Sequence, residues 1–439
     1  MSLEITRRAV LAGAACAALP AMAQESLKGW FDRAIKLEPA EARKLLAGVD
    51  ASGLSADERQ DLRIVLKGLD RQIELRALFP TSGASPYAVH PRGDKWRDAD
   101  FELLKSEAAR GVAPPVFMID QLLKRPELQL YADTLKQVRA LSKPGDGVWR
   151  LPGGERYFEL RLDGPPEEAF RRCQDAIQSL SARAAAILRN QGLTQGSLGD
   201  RFRAFLQRPD LVFKSDKEAV AAMNATIDRF RLRASEQFRP GTDLAGHVEV
   251  MDPPGKRGYR DWDRQIYYPD FHDLPARPSW TLTTAAYHEA VPGHLVQFPI
   301  EQAAAPHPLR LRFAPGYAEG WAIYAESLCD DMGLLGPLDQ LGFAQSMLYR
   351  LVRVTADIEI HTRRASREQA VKAYADLIGF ALIFPFDVDV DRSCIEPAGF
   401  AADALTMLEI RRLKKGDPRA FHHAILRRGP LPIGELAAT

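Results

Sequence analysis

The sequence predicts a mainly α-helical protein with at most a small β element near residues 259–269, and three observations carry that expectation. Apolar residues recur at spacings of three and four, as in Leu62, Val65, Leu66, Leu69 and Ile73. Helix-start signatures recur too: Ser55 with Glu58, Ser215 with Glu218 and Ser366 with Gln369 have the Ser-x-x-Glu/Gln capping pattern. The segment that reads as a short strand is the aromatic-rich Tyr259 to Pro269.

Taken in order, the chain starts with a leader. Thr6, Arg7 and Arg8 precede an apolar run of small residues from Ala9 to Leu19, and Ala21-Met22-Ala23 supplies the small residues that signal peptidase prefers. Paired arginines resemble the twin-arginine export signal, so residues 1–23 are expected to be a signal peptide read by that export machinery. The mature chain would begin near Gln24 and act in the periplasm or outside the cell. Cys16 lies within the leader and lacks the branched residue three positions earlier that a lipoprotein site wants. No later segment reaches the ~20 apolar residues of a bilayer span, so no stable membrane span is expected after processing. Cys173, Cys329 and Cys394 are too scattered for a disulfide scaffold and read as small buried thiols.

The rest divides into an N-terminal helical region, 24–250, and a second helical region, 251–439. Pro/Gly-rich stretches fall at 80–91, 143–154 and 253–258, and the first two read as linkers or lobe edges. Lys plus Arg number 59 against 58 Asp plus Glu, a formal charge of +1, which gives no reason to expect a nucleic acid or an anionic membrane as partner. Neither a Walker-type loop nor a dinucleotide fingerprint is present.

Chemistry concentrates in His288-Glu289-Ala290-Val291-Pro292-Gly293-His294. In the His-Glu-x-x-His arrangement two imidazoles share one helical face and the glutamate serves a metal-bound water. Here the histidines are six apart, about 600° of ideal helix and so about 240° past a full turn, which would aim them apart. Pro292 and Gly293 can end or bulge the helix and swing His294 back beside His288. The plainer alternative is a helix end carrying two unrelated histidines.

Three motifs in order then carry a resemblance. His288 to Gln297, Glu319 to Glu326 (EGWAIYAE), and a helix through Arg350, Arg353, Asp357 and His361 followed by Ser366 to Ala370 resemble the domain of unknown function 885 family. Members of that family are similar to zinc metallopeptidases of the gluzincin type. The likeness runs from about Arg257 to the C-terminus, where Phe421-His422 and the Gly429 to Pro432 segment resemble its closing part, while the N-terminal half resembles it only in helical character. In the family a second histidine commonly follows the first at the motif's end; this chain has Leu295 there.

The resemblance implies a large multi-helix, metallopeptidase-like fold with an active-site cleft. It implies Zn2+ held by His288, His294 and Glu319, with Glu289 as general base, which makes 251–439 the metal-binding catalytic region. Two imidazoles and one carboxylate leave a fourth zinc position for water. Glu326, seven residues beyond Glu319 on the same helical face, is the alternative third ligand, or else a partner that orients a histidine.

Such an enzyme also needs a group to steady the developing oxyanion. Candidates are His361, Tyr317, Tyr324, Arg350 and Arg353, the last also suited to a substrate carboxylate; among them His361 is expected to contact substrate or transition state. Arg350, Arg353, Asp357 and His361 form a polar stripe on a helix that Leu348, Leu351, Val352 and Ile358 mark as largely buried. His422 reads as a packed histidine. Trp262, Tyr267 and Tyr268 would line a cleft or pair with an extended substrate, or simply pack.

The expectation is an exported zinc-dependent hydrolase, first of all a metallopeptidase acting on small peptide or amide substrates. The alternatives are a metal-dependent hydrolase of a non-peptide amide or ester, and a non-enzymatic periplasmic binding or scaffold protein with a degenerate metal site.

Overall fold

Ser55 and Glu58 cap each other's backbone N–H groups, and from this box runs α1 (Ala56–Leu78). Proline at the first turn starts α2 (Pro166–Asn190), where a missing N–H costs nothing. Ser215 caps α3 (Asp216–Arg231), but Glu218 accepts from the Lys214 N–H instead of closing the box. The computed structural model describes residues 26–438 apart from 81, 82, 89–96, 254, 256, 382 and 383. The leader and part of the 80–91 and 253–258 stretches lie outside the described residues.

The expected β element is a hairpin, β2 (Tyr259–Asp261) and β3 (Ile266–Tyr268), and it is joined by β1 (His247–Val248), which lies before the expected segment. The order is β1-β3-β2, with β1 parallel and β2 antiparallel to β3, so β2 is an edge. Beyond the sheet the chain forms α4 (Ser279–Glu289), α5 (His294–Ala304), α6 (Tyr317–Asp331), α7 (Pro337–Thr362), α8 (Arg367–Ile378), α9 (Phe386–Ile395), α10 (Ala401–Leu413) and α11 (Pro418–Leu426). The fold is therefore mainly helical with one small sheet.

Helix α7 is the axis. From Leu341 to His361 only Arg350 and Glu359 escape full burial, the mark of a helix surrounded by others. Helices α2 and α4 pack along it, and α6 packs on α10. Phe31, Ile64 and Met223 share one apolar cluster with Tyr287, Trp321 and Met347, so the regions on either side of residue 250 have a common core. The 143–154 stretch, expected to be a linker or lobe edge, is instead packed: Val148, Arg150 and Leu151 are buried, and the Val148 N–H bonds the His361 ring. Cys173, Cys329 and Cys394 are buried and unpaired. Among the described residues no helix is long and apolar enough to cross a membrane.

A candidate metal centre at a broken helix

His288 and Glu289 are the last two residues of α4, and His294 is the first of α5. The four residues between them make a tight turn in which the chain folds back on itself. Gly293 is essential to it: a Cβ there would lie 1.9 Å from the His288 carbonyl oxygen, far inside contact distance. The helix break thus does what an unbroken helix of that spacing could not. The two imidazoles meet edge to face, 5.0 Å apart and at 89°.

Glu319, in the first turn of α6, completes the group. Its two oxygens lie 3.3 Å from His288 Nε2 and 3.4 Å from His294 Nε2. One ligand atom from each of the three residues falls within 4.8 Å of the others, as a single ion would require. Both histidines are buried, while the Glu319 side chain stays 47% exposed, so the group has a closed side and an open one.

The surrounding shell fixes both rings. His288 Nδ1 lies 2.8 Å from Glu326 Oε1, and Glu326 also accepts from Thr284 and, at 2.9 Å, from Ser346, with an Arg350 nitrogen 3.5 Å away. Glu326 is fully committed on the far side of His288 from the centre. The two roles open to it therefore separate: it faces Nδ1, and Glu319 faces Nε2. His294 Nδ1 lies 3.2 Å from Gln297 Oε1, and the Gln297 amide donates to Glu301 at 2.6 Å. With Nδ1–H engaged on each ring, the Nε2 lone pairs converge on one point. His294 Nε2 is buried without a hydrogen-bond partner. An orphaned buried nitrogen beside a carboxylate and a second imidazole fits a bound cation.

The electrostatics agree. Burial alone would depress His288, but hydrogen bonds to Glu319 and Glu326 push it up to about 9. Burial opposes ionisation of Glu319, yet its contacts with both histidines hold it well below the usual carboxylate range. Burial, only partly offset by Glu319, keeps His294 below its ordinary value. The negative charge of Glu319 and Glu326 is what draws a proton to His288.

Glu289, with its side chain 22% exposed, forms an ion pair with Arg260 of β2. Leu295, where the resemblance leads one to expect histidine, is buried beside Gly246 in the core. His294, not residue 295, is the one grouped with His288 and Glu319.

Of the other expected residues, Arg350 and Arg353 border the group, while Tyr324, Tyr317 and His361 are not brought here. Tyr324 gives its hydroxyl proton to His422 Nε2 at 2.7 Å, and His422 Nδ1 meets the Gln237 carbonyl at 2.8 Å, a closed and buried pair. Tyr317 donates to the Ile425 carbonyl at 2.8 Å. His361 is wholly buried: Nδ1 accepts the Val148 N–H at 3.0 Å, and Nε2 lies 3.0 Å from the Ser393 carbonyl. It ties two segments to α7 and cannot reach a substrate. Arg353 lines a small cavity beside Glu319 with Tyr349, Arg350, Phe400 and Asp403, but its guanidinium is held bidentately by Asp389 at 2.8 and 2.9 Å. Sequence reasoning missed Asp403, whose carboxyl is pushed up to about 7 by burial and by the charge of Glu319. It also missed Arg260; an arginine in an aromatic strand next to the motif was the available signal.

A mainly helical protein with a His-His-carboxylate group set at a helix break is the class that fold and site define. The chain belongs to the DUF885 family, described as a bacterial protein of unknown function, whose model matches residues 121–439. That match begins well before Arg257 and so takes in α2 and α3, further than the motifs alone indicated. No curated protein matches the chain. Two solved structures share the fold: a candidate lipoprotein from Colwellia psychrerythraea, 20% identical with a TM-score of 0.71 over 94% of this chain and 90% of that one, and a candidate lipoprotein of unknown function from Shewanella oneidensis, 14% identical with a TM-score of 0.64 over 93% and 92%.

Proposed function

We propose that this chain is an exported zinc-dependent hydrolase, and first of all a metallopeptidase acting on small peptides. The observation that carries the reading is the convergence of two imidazoles, each fixed through Nδ1, on a carboxylate that both Nε2 atoms face, one of them otherwise unpartnered. Zinc bound there would supply Lewis acidity to an attacking water and to the scissile carbonyl. His288, His294 and Glu319 hold the ion. Glu289 takes a proton from water at its carboxylate and returns it to the leaving nitrogen. The edge strand β2, whose Arg260 pairs with Glu289, is suited to align an extended peptide by strand addition. Export is supported by the leader, and the two similar structures are themselves described as candidate lipoproteins, consistent with a place beyond the cytoplasm.

Metal analysis of the purified mature protein tests this directly. One zinc per chain is expected, lost in Glu319→Ala and retained in Glu289→Gln, while the latter no longer cleaves a peptide library that the parent cleaves. A trace of zinc far below one per chain in the parent would overturn the reading. Running an ester and amide panel beside the library separates a peptidase from a hydrolase of other carbonyl compounds.

A further inference from the structure

Arg260 belongs to the wall of the metal centre. Its guanidinium pairs with Glu289 and lies 5.5 Å from the centre of the Trp262 ring. Trp262 packs at 4.2 Å on Phe298, and Phe298 tilts against His294 at 5.4 Å, so cation, aromatic platform and metal ligand form one continuous surface. The Arg260 and Glu289 side chains are each 22% exposed, which leaves the surface open to a ligand.

The guanidinium is only partly used. Its fork of donors matches a carboxylate bidentately, yet the Nε of Arg260 is buried with no hydrogen-bond partner. The neighbouring arginines differ: Asp389 neutralises Arg353 and Glu326 lies beside Arg350, both carboxylates standing apart from the reaction. Arg260 instead relies on the general base. Glu289 engages one side of the guanidinium and leaves the Nε side of the fork without a partner. A carboxylate on the substrate would meet that unused side with charge-assisted hydrogen bonds; a neutral group at the same place would bring no charge.

We propose that Arg260 is a specificity-determining residue that selects carboxylate-bearing substrates, the substrate's carboxylate taking the part of the fork that Glu289 leaves unused. Selection among substrates rests on the hydrolase reading, but the binding itself does not. The test uses the mature protein, zinc-free and zinc-loaded, and a pair of probes of nearly equal shape that differ in charge, N-acetylglutamate and N-acetylglutamine. Binding is followed by the indole N–H resonance of Trp262, identified by its loss in Trp262→Phe. The expected result is that the acid shifts this resonance and the amide does so at least about tenfold more weakly, in zinc-free and zinc-loaded protein alike. Arg260→Gln should weaken the acid by a similar factor, and Arg260→Lys, which keeps the charge but not the fork, should fall between them. Unchanged zinc content and circular dichroism in both variants exclude misfolding. Equal binding of acid and amide, or undiminished binding of the acid by Arg260→Gln, would overturn the inference. Failure of the parent to bind zinc, with acid selectivity intact in the zinc-free protein, would instead count against the hydrolase reading alone.

Discussion

Helix α7 borders two buried polar networks that look alike in sequence and differ in what they leave over. Around Arg353 the cation and the imidazole are each paired: Asp389 accepts from Arg353 twice and from Tyr349 at 2.6 Å, and both His361 nitrogens have backbone partners. Around Glu326 the same kind of network stops one step short. It secures Nδ1 of His288, and the Gln297 amide does so for His294, but both Nε2 atoms point inward at Glu319. Buried polar groups that satisfy one another hold a fold together; those that leave aligned lone pairs unused hold a place for something else.

Three measurements would break or sharpen that contrast. The largest effect is expected at the Arg353 network. Arg353→Met strands a buried Asp389 and should cost about 3–5 kcal/mol of stability in denaturant titration, with zinc content unchanged; a loss of zinc without loss of stability would put Arg353 in the other network. Next comes Glu326→Gln, which keeps a hydrogen bond to His288 but not the charge. It should weaken zinc about 10–100-fold in competition with a chelator, and an unchanged affinity would deny Glu326 its orienting role.

The smallest effect concerns the Tyr324–His422 pair. Burial pulls His422 down to about 4 from an ordinary value near 6.5. As pH falls below 6.5 the unfolded chain takes up a proton that the folded ring refuses until about pH 4, so this group's contribution to stability declines through that window. In zinc-free protein, His422→Gln should remove about 1 kcal/mol of that acid sensitivity between pH 6.5 and 5.5. An identical pH dependence in parent and variant would mean the ring is not held neutral.

How much of this was legible beforehand depends on how far apart the partners are. Reciprocal caps at Ser55 and Ser366 span three residues and were readable. So was the need for Pro292 and Gly293, because the six-residue spacing fails on a regular helix. The inner shell was half readable: Thr284 is one helical turn before His288 and Gln297 one turn after His294, while Ser346 and Arg350 reach Glu326 from another helix. Periodicity placed Arg353, Asp357 and His361 on a buried stripe, but burial is common to structural and reactive groups. What separates them is the partner supplied by distant segments, Val148 and Ser393 for His361 and Gln237 for the ring that holds Tyr324. No spacing within one helix encodes that. The same limit hid Arg260, whose meeting with Glu289 exists only once the hairpin is laid across the end of α4.

The backbone crowding at Gly293 bears on how such sequences should be compared. With its would-be Cβ 1.9 Å from the His288 carbonyl, that position tolerates no side chain without reshaping the turn, whereas the residue after His294 only has to fill space under the sheet. A chain that keeps the glycine and varies the residue after the second histidine still brings its imidazoles together. One that keeps every histidine and replaces the glycine has lost the hinge pin. Glycine, which coordinates nothing, is therefore the more telling letter by which to sort intact centres from relics.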